Sequence, residues 1–135
     1  MQGPHWWHQA QGTLQYSTDP LKLILAVDQG IADFYRATIP KYLNVKPPMY
    51  DAHISVIRNP IVPLNMKVWN KYQGKLIDYK YETYIYNDEL YYWLNVVSPD
   101  LELIRKELGM QPYGDVTKSP DGQHLFHITL ANLKK

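Results

Sequence analysis

The chain has 135 residues, no cysteine, and 14 Lys+Arg against 13 Asp+Glu, a formal charge of +1. One domain with a real core fits that length, while disulfides, thiolate metal sites and cysteine nucleophiles are excluded. Charge so balanced argues against wrapping a long duplex but not against holding a small anionic ligand. Twelve Tyr and four Trp beside two Phe are more polar-tipped aromatics than a core needs, so some are expected to line a wet cavity or stack on a ligand. No apolar run approaches the ~18 residues of a membrane span. The opening MQGPHWWHQAQG lacks the basic start and apolar stretch of a secretory signal. A cytoplasmic protein is expected.

Residues 1–11 read as an irregular arm, and residues 12–135 as a single domain. Within the arm, Trp6 and Trp7 stand between His5 and His8, a spacing that lacks a third metal ligand nearby. Residues 12–17 and 21–27 read as strands around a turn at 17–20, the second an apolar run typical of a buried strand. Asp28 is a helix N-cap, followed by Ile31, Phe34, Tyr35 and Thr38 at helical spacing, with Pro40 as the limit. Residues 50–57 alternate as a third strand. Residues 59–63 hold two prolines and read as loop, and 66–72 as a short helix.

Residues 75–86 and 89–97 form the clearest hairpin, turning at Asn87-Asp88. Ser98 caps a second helix opened by Pro99 and Asp100, striped by Leu101, Ile104 and Leu108 and stopped by Gly109. Arg105 and Lys106 sit near its negative end. A Gly/Pro/Asp-rich loop at 111–123 leads to a last strand at 125–133. The order predicts an α+β fold, a mostly antiparallel sheet with two main helices.

Two strands share one pattern: Ala52-His53-Ile54-Ser55-Val56 and Phe126-His127-Ile128-Thr129-Leu130. Residues two apart on a strand share a face, so each strand turns an imidazole and a hydroxyl to one side and apolar groups to the other. The two polar groups stand ~6.6 Å apart along the strand, a span from which both reach one phosphate. A single such histidine is ordinarily just a partly exposed side chain. Two copies in the same hydrophobic frame, at matching places in the two halves, point to shared chemistry. A neutral and a protonated imidazole serve as base and acid together, and the hydroxyls donate to non-bridging phosphate oxygens. No carboxylate cluster with metal-ligand spacing accompanies them, so no cofactor or metal is expected.

The paired motif resembles the 2H phosphoesterase superfamily, most closely at 127–134 (HITLANLK) and with Ser55 where threonine is commoner. The resemblance implies a bilobal, pseudo-symmetric fold around a central cleft. It implies His53 and His127 as the catalytic pair and Ser55 and Thr129 as phosphate-binding hydroxyls of a metal-independent hydrolase. Asn132 stands where arginine is frequent in that family. The chain's size fits the branch resembling phage anti-CBASS phosphodiesterases, which destroy cyclic oligonucleotide signals in the host cytoplasm. The implied substrate is a small nucleotide, either a cyclic oligonucleotide or 2′,5′-oligoadenylate.

Other residues fall around this pair. Arg58 and Lys134 follow the two motifs and can reach a phosphate. Alternation puts Tyr91 and Trp93 on one face of the hairpin and Tyr84 and Tyr86 on another, where they stack on bases or stabilise the sheet as cross-strand pairs. Tyr16 can face the cleft, and His124 reads as a bystander. Three alternatives stay open. One is a 2′,3′-cyclic phosphodiesterase or 2′,5′ RNA ligase-like enzyme acting on RNA ends. Another is a non-catalytic nucleotide-binding module. The third is a scaffold using the Trp6-Trp7 arm and the tyrosine-rich hairpin.

Overall fold

A computed structural model describes residues 6–58, 60, 63–112 and 126–134. Among these residues, six strands and two α-helices run in the order β1 (Trp7–Ser17), β2 (Lys22–Ala26), α1 (Gln29–Ala37), β3 (His53–Arg58), β4 (Leu76–Asn87), β5 (Tyr91–Val97), α2 (Pro99–Glu107) and β6 (Phe126–Asn132). Every strand pairing is antiparallel. The sheet closes as a barrel in the order β1-β2-β3-β6-β5-β4. The α+β expectation is met, with a sheet that returns on itself through β1 and β4.

Local chemistry accounts for the elements. Asp28 caps α1, accepting from Gly30 N at 2.8 Å. Ser98 caps α2, accepting from Leu101 N at 3.3 Å with Pro99 in the first turn. Gly109, at φ +90, ends α2 in the left-handed region that glycine favours. The hairpin turn is tied by Asp88 Oδ1, which accepts from Leu90 N and Tyr91 N at 2.8 and 2.7 Å. At Gly12 the chain passes so close to β2 that a Cβ would lie 2.6 Å from Ala26 O; there β1 changes partner from β4 to β2.

Several expectations need correction. Residues 7–11 are not an irregular arm: β1 starts at Trp7, because β4 is long enough to pair it from Trp7↔Glu82 to Thr13↔Leu76. In α1, Ala32 is buried and Ile31 and Tyr35 pack partly buried against the core, but Phe34, expected on the same stripe, is exposed. The helix expected at 66–72 is a single 3-10 turn, Met66–Val68. Arg105 lies in the last turn of α2 as expected, and there it is buried. Most of the loop at 111–123, and three of the five residues at 59–63, lie outside the described residues.

The sheet has two unlike faces. Leu14↔Leu25, Leu25↔Ile54, Ile54↔Ile128 and Leu94↔Ile128 are successive cross-strand pairs, all fully buried. They form one cluster with Ala32 of α1 and Leu101, Ile104 and Leu108 of α2. The helices therefore pack on this apolar face, and burial of such side chains, at ~25 cal/mol per Å², holds the fold together. The histidines stand on the other face.

Candidate active site

His53 and His127 lie on β3 and β6, neighbours joined at Ile54↔Ile128. Continuing that antiparallel register by one residue each way sets Ser55 opposite His127 and His53 opposite Thr129. The two His-Ile-Ser/Thr triplets are thus related by a local two-fold through the buried isoleucine pair, and the imidazoles are diagonal neighbours. Diagonal positions stand ~7–8 Å apart between Cα atoms, within reach of long side chains. Both apolar centres are fully buried, and all four polar residues are partly buried on the opposite face.

The two imidazoles are held differently. His53 Nδ1 is 2.8 Å from the carbonyl oxygen of Asp51. A carbonyl only accepts, so Nδ1 carries the hydrogen and Nε2 is turned from the backbone toward the face shared with His127. His127 has its pKa pushed down to about 4, first by burial, then by the neighbouring His53 and by Arg58. It is therefore neutral at pH 7.

The influence of Arg58 on His127 is explained by a bulge. In a regular strand Arg58 would share the face of Ile54 and Val56. Ser55 pairs with Ile24, yet Ile57 pairs with the next residue, Leu23, so one extra residue is inserted at Val56. Val56 and Ile57 are both buried and Arg58 emerges on the histidine face. The carbonyl of Val56 accepts a hydrogen bond from Arg105 Nη1, and Arg105 Nε donates to Gln111 O at 2.7 Å. A buried guanidinium from α2 thus serves the carbonyl of the inserted residue.

On the other side of β6, Asn95 pairs with His127 and Trp93 with Thr129, so both share the face of the catalytic candidates. Trp93 Nε1 donates to Asn95 Oδ1 at 3.0 Å. Tyr86 pairs with Trp93, their rings 6.3 Å apart at 22°. Tyr86 OH donates to Glu82 Oε1 at 2.6 Å. Burial, and then the carboxylate of Glu82, raise the Tyr86 pKa, so it remains a donor. Tyr84 and Tyr86 rings lie 4.8 Å apart. The expected split of these aromatics is corrected here: Tyr86 and Trp93 share one face because they are directly paired. Lys134 sits over the Tyr91 ring at 5.1 Å, at the far end of β6 from His127.

Two aromatic or histidine candidates fall elsewhere. Tyr16 pairs with fully buried Leu23 and meets Trp69 edge-on at 5.0 Å, so it belongs to the apolar side and not to the histidine face. His8 stacks on Tyr81 at 5.6 Å. His5 and His124 lie outside the described residues. Among the described residues, no three His, Asp or Glu side chains gather where they could hold a metal ion, and no helix is long and apolar enough to cross a membrane. Asn95 and Glu82 went unnoticed in the sequence. The sequence marks them only as polar residues inside aromatic-rich strands; their burial, at 1% and 7% exposed, is visible only in the structure.

Comparison with family models, with curated proteins and with solved structures finds no match for this chain.

Proposed function

We propose that the chain is a metal-independent phosphodiesterase of the 2H type, acting on a small nucleotide. The substrate class is a cyclic oligonucleotide signal or 2′,5′-oligoadenylate, as in viral or phage evasion of host defence. One observation carries the reading: both His-Ile-Ser/Thr triplets meet on adjacent strands about Ile54↔Ile128, with two imidazoles and two hydroxyls on one face. That arrangement also supports the finer, pseudo-symmetric picture of the fold, in which each half contributes one strand to a shared cleft.

The asymmetry of the two rings supports a division of roles. A base must be unprotonated at working pH, and His127 is, its pKa being about 4. It takes the proton from the ribose hydroxyl next to the scissile phosphate. The freed oxygen attacks phosphorus, forming a cyclic phosphate as the bond to the departing ribose oxygen breaks. His53, whose Nδ1 is committed to Asp51 O, delivers a proton to that oxygen from Nε2. Ser55 and Thr129 donate to the non-bridging oxygens, and Arg58 offsets their growing charge. With water as nucleophile, the same pair opens a 2′,3′-cyclic phosphate.

The test is incubation, in the presence of EDTA, with a panel of cyclic di- and trinucleotides, 2′,5′-oligoadenylate and 2′,3′-cyclic nucleotides, read by mass spectrometry. Cleavage of a cyclic oligonucleotide or of 2′,5′-oligoadenylate is expected. Turnover of 2′,3′-cyclic ends alone would move the reading to RNA-end processing. Abolition by EDTA with rescue by a divalent ion would contradict the two-histidine mechanism.

A further inference from the structure

We propose that Trp7 and Lys80 form a second nucleotide subsite on the same sheet face, so that the substrate carries at least two bases. This rests on the nucleotide reading above and extends it outward from the scissile phosphate.

The register places the subsite. His127 pairs with Asn95. In the adjoining strand β4, the residues facing Asn95 lie between Tyr81, which pairs with Val96, and Ile85, which pairs with Leu94. Glu82 is the first of them, and its hydrogen bond to Tyr86 ties it to the Trp93 side. Glu82 in turn pairs with Trp7 of β1. Directly paired residues share a face, so His127 shares one with Asn95 and Glu82 with Trp7; between them β4 is bulged, and the Glu82–Tyr86 hydrogen bond, with Tyr86 paired to Trp93, puts all four on one face across four strands. Three interstrand steps of ~4.8 Å put Trp7 ~14 Å from His127 along the sheet.

What stands at the end of that row is suited to a nucleotide. The Trp7 side chain is 44% exposed. Its strand end is fixed, since Thr83 N donates to Trp6 O at 2.8 Å and Trp6 N donates to Thr83 Oγ1 at 3.2 Å. An indole on a fixed strand loses little freedom when a base stacks on it. Lys80 pairs with Gln9 and is exposed two residues from Glu82, hence on the same face and diagonal to Trp7. It supplies an ammonium beside the indole, the combination of aromatic platform and cation that holds single-stranded nucleotides. The base nearest the attacked phosphate meets Trp93 and Tyr86, one and two strands away. Trp7, a strand further on, is left for the base of a flanking nucleotide.

Trp6 provides the control. It is more exposed than Trp7, at 62%, but as the preceding residue of an extended chain it points to the other face. The probe is 2′-O-methyl ApApA, which lacks the attacking hydroxyl, so binding is read without turnover. Loss of base–aromatic stacking predicts a ~5–150-fold weaker Kd for Trp7→Ala, partial rescue by Trp7→Tyr, and an unchanged Kd for Trp6→Ala. Lys80→Gln should lower the slope of log Kd against log salt by ~0.7, one single-strand phosphate contact. Equal Kd values for Trp7→Ala and Trp6→Ala, or no binding of the probe by the wild type, would overturn the subsite. Trp7-dependent binding in a protein that turns over nothing in the panel would sink the phosphodiesterase and leave the subsite standing.

Discussion

The neutral state of His127 is bought with stability in acid, and the amount can be worked out. A free imidazole has a pKa near 6.5, and that of His127 is about 4. Below pH 6.5 the unfolded chain binds a proton that the folded chain refuses. Stability therefore falls as the pH drops through this window and levels off below about 4. At ~1.36 kcal/mol per pH unit, the full window is worth ~3 kcal/mol. The perturbation is His127→Gln, which keeps a polar side chain of similar reach and cannot titrate. Unfolding free energies of wild type and variant are measured by urea titration at pH 7, 5.5 and 4. Other groups contribute slopes of their own. Asp33, held low by hydrogen bonds from Gln29 and Arg36, and Glu107, held low by Tyr72 and Lys71, also lose stabilisation in acid. Both are common to the two proteins and cancel in the difference. The wild type should lose ~3 kcal/mol relative to the variant between pH 7 and 4. Parallel curves would mean that His127 titrates alike in both states, and the base assignment would lose its footing. The same pKa governs activity: the acid limb of kcat/KM should lie near pH 4, well below that of an ordinary imidazole.

Two further predictions concern the site itself. His53→Ala and His127→Ala should each cost ~10²–10⁴-fold in kcat, and the double variant little more than the worse single one, because acid and base act on one transition state; multiplicative losses in kinetic assays would contradict a shared phosphate. Ser55→Ala and Thr129→Ala should be milder, each removing a charge-assisted hydrogen bond worth ~1.5–3 kcal/mol, or roughly 10–150-fold in kcat/KM, with unchanged thermal unfolding.

The motif pair was legible in the sequence because strand alternation has a strict period of two. Once residues 53–56 and 127–130 are strands, His53 must share a face with Ser55, and His127 with Thr129. The caps at Asp28 and Ser98 were legible for a similar reason, since each is a local hydrogen bond between near neighbours. What alternation could not supply is pairing between distant strands. Nothing in residues 7–11 announces a strand, because its cause is the length of β4, some seventy residues away. The common face of Tyr86 and Trp93 likewise depends on hairpin register. The place of Arg58 depends on a bulge that a strictly alternating reading assigns to the wrong side.

That bulge joins the core to the chemistry, and Arg105 is where the link can be tested. The inserted Val56 leaves a carbonyl outside the regular ladder, and the buried guanidinium of Arg105 donates to it while also holding Gln111 O. A buried cation is costly unless its donors are used, so its presence at 3% exposure is explained by what it supports. Arg105→Met keeps the length and apolar stem of the side chain and removes its donors. Leaving a buried carbonyl unpaired costs ~1–3 kcal/mol, which urea titration will register. The more telling readout lies across the strand. Burial and His53 do most to hold the His127 pKa down, and Arg58 adds its smaller share only while the bulge turns it to the histidine face. If the bulge relaxes, Arg58 swings away and the His127 pKa, followed by NMR titration of its ring protons, rises from about 4 by the Arg58 share alone, while burial and His53 continue to hold it below its ordinary value. Lysine at position 105 should not rescue this, because a single ammonium lacks the planar fork that serves two carbonyls. A destabilised Arg105→Met with an unmoved His127 pKa would show that Arg105 supports the core alone and that the bulge holds its shape without it.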